Sequence, residues 1–255
     1  MSIYKSIKLG VAGLLLSCGV QAAPINVGGV VWDPDSMFDF TSASQLIEDQ
    51  LNLTPGPGFV DTLVGFGIIT GINGTFQNTF CPGCELTFQF GGYKVANIYS
   101  SGGDTYIGFA GGWIEFYVDS ATPYNPDNMA SATNGPVWLR LEAHEVFNAN
   151  HGMNLSISAV LSSFGAGTDT GTGVGLLNVV GGMAMGNFDT NTQTDGADWV
   201  FSSSFQPIPS GAQGDDYELF GTADFRGTSI PEPMSLAILG LGLLGLAGTS
   251  RRRKA

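Results

Sequence analysis

Hydrophobic and polar residues alternate with a period of two over several short stretches of this chain. From Gly112 to Asp119, Ile114, Phe116 and Val118 fall on one side and Trp113, Glu115 and Tyr117 on the other. From Pro136 to Val146, Val137, Leu139 and Leu141 alternate with Trp138, Arg140 and Glu142. From Asn154 to Leu161 the apolar set is Leu155, Ile157, Ala159 and Leu161. Such alternation puts successive side chains on opposite faces of a strand, so it predicts half-buried antiparallel strands. Clusters of Gly, Asn, Asp and Pro, the residues of turns, separate the stretches. Only Ser42 to Asn52 predicts a helix, from a Ser42 and Gln45 capping box and from Leu46, Ile47 and Leu51. Ser202 to Gly214, rich in Ser, Pro and Gly, predicts a long loop, followed by the acidic Asp215 to Glu218 and a last strand over Tyr217 to Phe225. No repeat of fixed period is visible. The fold class expected is all-β, a single antiparallel β-sandwich or jelly-roll-like domain.

Two continuous apolar runs flank this pattern. Met1 to Ala22 carries Lys5 and Lys8, the apolar Leu9 to Leu16, and Val20-Gln21-Ala22 as a small-residue cleavage site. It reads as a secretory signal over residues 1–22, cut after Ala22 or Ala23. Leu15-Leu16-Ser17-Cys18 loosely resembles a lipoprotein acylation box, with Leu16 a poor fit at its position. At the other end Ile230-Pro231-Glu232-Pro233 leads into the uncharged stretch Met234 to Ser250, and Arg251, Arg252, Arg253 and Lys254 follow at once. Seventeen residues rise about 25 Å as a helix, a thin membrane span, and the cations hold its end on the cytoplasmic side. Pro231 and Pro233 stop any helix running in from the body, which leaves Glu232 on an extended segment. The run from Met234 lacks a Gly-x-x-x-Gly pair, so it offers no dimerisation face. The expected organisation is a signal peptide at 1–22, a secreted β-rich domain at 23–229 and a tail at 230–255, with a flexible linker at Gly227 to Ile230.

The order of the tail, Pro-Glu-Pro at 231–233, a Gly- and Leu-rich span at 234–250 and a basic end at 251–254, resembles the PEP-CTERM sorting signal. The resemblance covers residues 230–255 alone and sits on bodies of unrelated fold. It implies recognition by an exosortase, a membrane processing enzyme of Gram-negative bacteria, and an association of some tagged proteins with exopolysaccharide, biofilm or floc. It also implies transient membrane anchoring before delivery to the cell surface.

Charge narrows the partners. Between residues 24 and 229 there are 21 acidic residues against Lys94, Arg140 and Arg226, a net charge of −18. Three scattered cations cannot build a phosphate-binding footprint, which excludes nucleic acid. Cys81-Pro82-Gly83-Cys84 is flanked by strand-like Gly74 to Phe80 and Glu85 to Phe90, which predicts a hairpin whose Pro-Gly turn is clipped by a disulfide. Redox and zinc readings stay open for this spacing. Zinc would need two more ligands, and His144 and His151 are the only histidines. His144-Glu145-Val146-Phe147-Asn148 has Asn where a zincin needs its second His, and it reads as strand.

Two acidic clusters suggest calcium: Asp33, Asp35 and Asp39 near the mature start, and Asp189, Asn191, Asp195 and Asp198 before Trp199. Plain turn chemistry accounts for the same letters. There is no nucleophile elbow and no phosphate loop, while paired carboxylates for glycoside hydrolysis leave no local spacing to read. The expectation is a non-enzymatic matrix component. An extracellular carbohydrate-active enzyme and a calcium-dependent adhesin are the alternatives. Trp113, Tyr117, Trp138 and Trp199 are candidates for stacking on sugars, or for the core.

Overall fold

The computed structural model describes residues 22–34, 37–48, 62–163, 170–208 and 219–230, with backbone alone for 43–48. Residues Pro24–Ile230 form one unit. The predicted signal up to Gln21, the acidic Asp215 to Glu218 and the tail from Pro231 lie outside the described residues. No helix among the described residues is long and apolar enough to cross a membrane.

Strand is the dominant structure among the described residues. In chain order the unit contains β1 (Ile25–Val27), β2 (Val30–Trp32), β3 (Phe38–Glu48), β4 (Thr62–Ile68), β5 (Gly71–Ile72), β6 (Thr75–Phe76) and the one-turn helix α1 (Gln77–Phe80). Then come β7 (Glu85–Ser101), β8 (Asp104–Ala110), β9 (Trp113–Asp119), β10 (Val137–Ala143), β11 (Val146–Asn148), β12 (Met153–Leu155) and β13 (Ile157–Ser163). The chain closes with β14 (Thr170–Gly181), the one-turn helix α2 (Met185–Phe188), β15 (Trp199–Pro207) and β16 (Leu219–Gly227). Twelve strands form one sheet, and all its pairings are antiparallel.

One long hairpin organises that sheet. β7 pairs with β8 from Ser101 and Asp104 to Lys94 and Ala110, then with β9 from Gly91 and Trp113 to Glu85 and Asp119. The two-residue turn Gly102-Gly103 has both φ angles positive, as a tight hairpin of matching twist requires. Both arms kink where Gly92 and Tyr93 face Gly111 and Gly112, all three glycines having positive φ. The close approach there demands glycine: a Cβ on Gly112, at φ 109°, would fall 2.1 Å from the Tyr93 ring. Beyond the kink the arms part. β9 continues through β10 to the C-terminal end of β14, and β8 continues through β13 to its N-terminal end.

Two layers result. One holds β4, the first half of β7, β9 and β10. The other holds the second half of β7, β8, β13, β14, β15, β16 and β3. They face each other across a core of rings: Phe116 of β9 lies 5.1 Å from Phe225 of β16 and 5.7 Å from Phe40 of β3, and Trp138 of β10 lies 5.8 Å from Phe40. Each fully buried ring of this kind stabilises the fold by about 1.5–3 kcal/mol. The layers are not the two separate sheets expected of a sandwich. They are one hydrogen-bonded sheet, bent at β7 and β14 and linked again by β4, which pairs with both β3 and β7.

Three sequence expectations change. Ser42 to Glu48 is strand, not helix, because Phe38, Phe40 and Ser42 are buried at every second position and the segment registers with β16. Long-range pairing overrides the local capping signal there. Asp49 to Asn52 lie outside the described residues. Ser202 to Pro207 is strand rather than loop, paired with β16 throughout and with β14 as far as Phe205. Trp138, expected on the polar face of β10, is wholly buried, because a bulge between Val137 and Leu139 turns it inward.

Candidate functional site

The end of β16 is where the body hands the chain to its tail, and local structure fixes it closely. Gly227 pairs with both Trp199 and Phe38. Thr228 shares hydroxyl hydrogen bonds with Thr190 and Thr192. The buried Ser229 hydroxyl accepts from the Trp32 indole N–H at 3.2 Å. The Ile230 amide then donates to the Asn187 carbonyl of α2 at 2.7 Å. Phe188 of α2 stacks on Trp32 at 5.1 Å and meets Phe38 at 4.7 Å, so the groups that hold Ser229 and Ile230 are themselves set in the aromatic core. Residues 227–230 are therefore bound to the body rather than forming the flexible linker the sequence suggested.

Asp198 supports this junction from below. It is almost wholly buried, and one carboxylate oxygen accepts from Val179 N at 2.7 Å while the other accepts from Thr190 N and Asn191 N at 2.6 Å. A buried carboxylate with three backbone donors fixes the loop from α2 to β15. This use of Asp198 differs from the calcium expectation for Asp189, Asn191, Asp195 and Asp198. Asp189 accepts from the Asn191 side chain at 3.3 Å, and Asp195 occupies the left-handed region at φ 57°. Among the described residues no group of three or more His, Cys, Asp or Glu side chains is gathered in a way that could hold a metal ion. Of the other cluster, Asp39 faces Arg226 at 3.8 Å; burial, and then the neighbouring Asp224, push its carboxyl above the usual range. Asp35 lies outside the described residues.

Cys81 and Cys84 are joined by a disulfide with Cα atoms 5.1 Å apart. The expected hairpin around them is absent. Gln77 to Phe80 form α1, β6 pairs with β5, and β7 pairs with β4, β8 and β9, so the disulfide closes the turn between a helical turn and β7. Neither histidine lies with the cysteines: His144 Nδ1 is 2.9 Å from Asn178 Oδ1, and His151 Nδ1 is 3.3 Å from Asn97 Oδ1. Three of the four candidate stacking residues are buried and Trp113 is half-buried. Trp138 and Trp199 are wholly buried, Tyr117 is buried and donates to Glu115, and Trp113 covers Gly91 and Gly92. Glu115 and Glu142 both pair with Arg140, at 3.3 and 3.9 Å.

One aromatic pair escaped the sequence reading. Tyr99 and Tyr106 stack at 4.8 Å with planes 4° apart, across the β7–β8 hairpin. The signal was there: the two tyrosines are equidistant from Gly102-Gly103, and a two-residue turn at that dipeptide makes them cross-strand partners.

Residues 229–254 match the PEP-CTERM protein-sorting motif. No curated protein and no solved structure is significantly similar to the chain. The match begins at Ser229, the residue whose hydroxyl the Trp32 indole holds.

Proposed function

We propose that this protein is exported, held at the membrane by its tail, and released by an exosortase-type enzyme as a non-enzymatic β-domain of the extracellular matrix. The observation that carries the reading is the sorting motif at 229–254 and its position on the body. The last described hydrogen bond of the body is made by Ile230, and Pro231 follows directly. A cut at or beyond the Pro-Glu-Pro segment removes the apolar span and the basic end and leaves in the chain every described residue that holds β16. The body survives processing whole. Its net charge of −18 between residues 24 and 229 keeps the released domain soluble and apart from polyanions.

The test is fractionation of cells producing the wild-type chain beside a variant with Pro231, Glu232 and Pro233 all changed to Ala. Wild-type protein is expected in the extracellular matrix and the variant in the membrane fraction. Equal distribution of the two would overturn the reading.

A further inference from the structure

The face of the second layer that points away from the core carries a consistent surface. Cross-strand register sets Tyr99, Tyr106, Val160, Thr172, Ser204 and Thr222 in one row, each directly opposite the next on β7, β8, β13, β14, β15 and β16. Five strand spacings of about 4.8 Å make the row roughly 24 Å long. A parallel row carries Ser158, Val174, Ser202 and Asp224. Thr172, Val174, Ser204 and Thr222 are exposed, and the rest are half-buried.

The tyrosine pair closes one end. Ring centroids 4.8 Å apart match the strand spacing, so the rings stand up from the sheet, stacked along the row. Tyr99 has His151 edge-on at 4.8 Å. Beyond Tyr106 comes Val160, too short to cover a standing ring, so the far face of Tyr106 looks down the row. The β11–β12 hairpin rises beside the pair, seated on Gly108, where a Cβ would meet Leu155 at 2.6 Å and His151 at 3.0 Å. The Nε2 of His151, buried in this wall, has no hydrogen-bond partner.

The chemistry of the rows selects the ligand. Neither row contains a cation, so a polyanion has nothing to hold it. Hydroxyls interrupt the valines, so the face lacks the continuous apolar centre of a protein interface. A row of hydroxyls beside an upright aromatic face suits a chain of neutral sugars, which present hydroxyls at their edges and C–H groups on their faces. We infer that this face binds a neutral polysaccharide, one sugar ring stacking on Tyr106 and the chain running across the strands over Thr172 and Ser204. The inference rests on the matrix reading above and names the site that would hold the protein there.

The test is depletion of the purified full-length protein, in detergent, by insoluble cellulose, chitin and xylan, with alginate as the polyanionic control. Retention on at least one neutral polymer is expected, with none on alginate. Tyr106→Ala should weaken it about tenfold, the size of a lost aromatic contact of about 1.4 kcal/mol. Thr172→Glu, on an exposed position, should weaken it at least as much with the melting temperature unchanged. Retention on none of the neutral polymers would overturn the inference, as would variants that bind like the wild type. A chain that is cleaved and exported yet binds none of them would overturn this inference alone, whereas a chain that stays in the membrane would overturn the matrix reading.

Discussion

The two faces of the second layer share every backbone bond and differ in everything their side chains do. Along β16, Leu219, Gly221, Ala223, Phe225 and Gly227 are buried, while Thr222 and Arg226 are exposed and Asp224 is half-buried between them. Along β14, Gly173, Gly175, Leu177 and Val179 point inward, and Thr172 and Val174 point out. The inner face mixes large rings with glycines because the core is filled by few, large side chains and the strands between them must leave room. Gly175 shows this: it pairs with Phe201, and a Cβ there would fall 2.8 Å from Ile157. The outer face has no such constraint. Its hydroxyls, set among Tyr106, Val160 and Val174, are not demanded by packing, which is why it is the place to look for a binding role.

This contrast is broken most severely from the inside. Gly112→Ala forces a Cβ into the Tyr93 ring at a φ of 109°, and no folded protein is expected on expression. Trp199→Ala opens a cavity among Phe38, Phe40 and Phe188, and chemical denaturation should show a loss of about 3–5 kcal/mol. Asp198→Ala leaves three backbone N–H groups without their acceptor, for a loss of about 3 kcal/mol. In that variant the Ile230 amide should also exchange its hydrogen faster, because α2 and the following loop hold it.

Smaller effects sharpen the comparison. Cys81→Ser removes a cross-link over a very short loop and should cost about 2 kcal/mol or less. Acidification should lower the melting temperature through His151. Burial holds its folded pKa below the ordinary 6.5, so below that value the unfolded chain binds the proton more readily. The stability it contributes is complete above pH 6.5 and is lost as the pH falls toward the depressed value. His151→Gln should remove this part of the pH dependence. Ser204→Ala and Val174→Thr, on the outer face, should change stability by no more than about 0.5 kcal/mol.

Periodicity made β9, β10 and β13 legible, because alternation there runs unbroken for seven residues or close to it. It failed where pairing partners, not local pattern, decide the structure. Ser42 to Glu48 reads as a capped helix until β16 supplies its register, and the three serines of β15 read as loop until neighbours on both edges satisfy them. The bulge that buries Trp138 has no local signature. The junction was misread for a related reason. Gly227-Thr228-Ser229-Ile230 has linker composition, and partners distant in sequence, Trp32, Asn187, Thr190 and Thr192, turn it into a fixed end. The sorting motif was legible, because Pro-Glu-Pro, the apolar run and the basic end are contiguous in sequence.

The central claim is that the tail is a processing signal abutting an intact body. The most direct test is the intact mass of the protein recovered from the cell surface. The account predicts a chain that ends at or near Pro231 to Pro233, with Ser229 and Ile230 retained. A mass that runs through Arg253 to Ala255 would contradict it and leave the tail a permanent anchor.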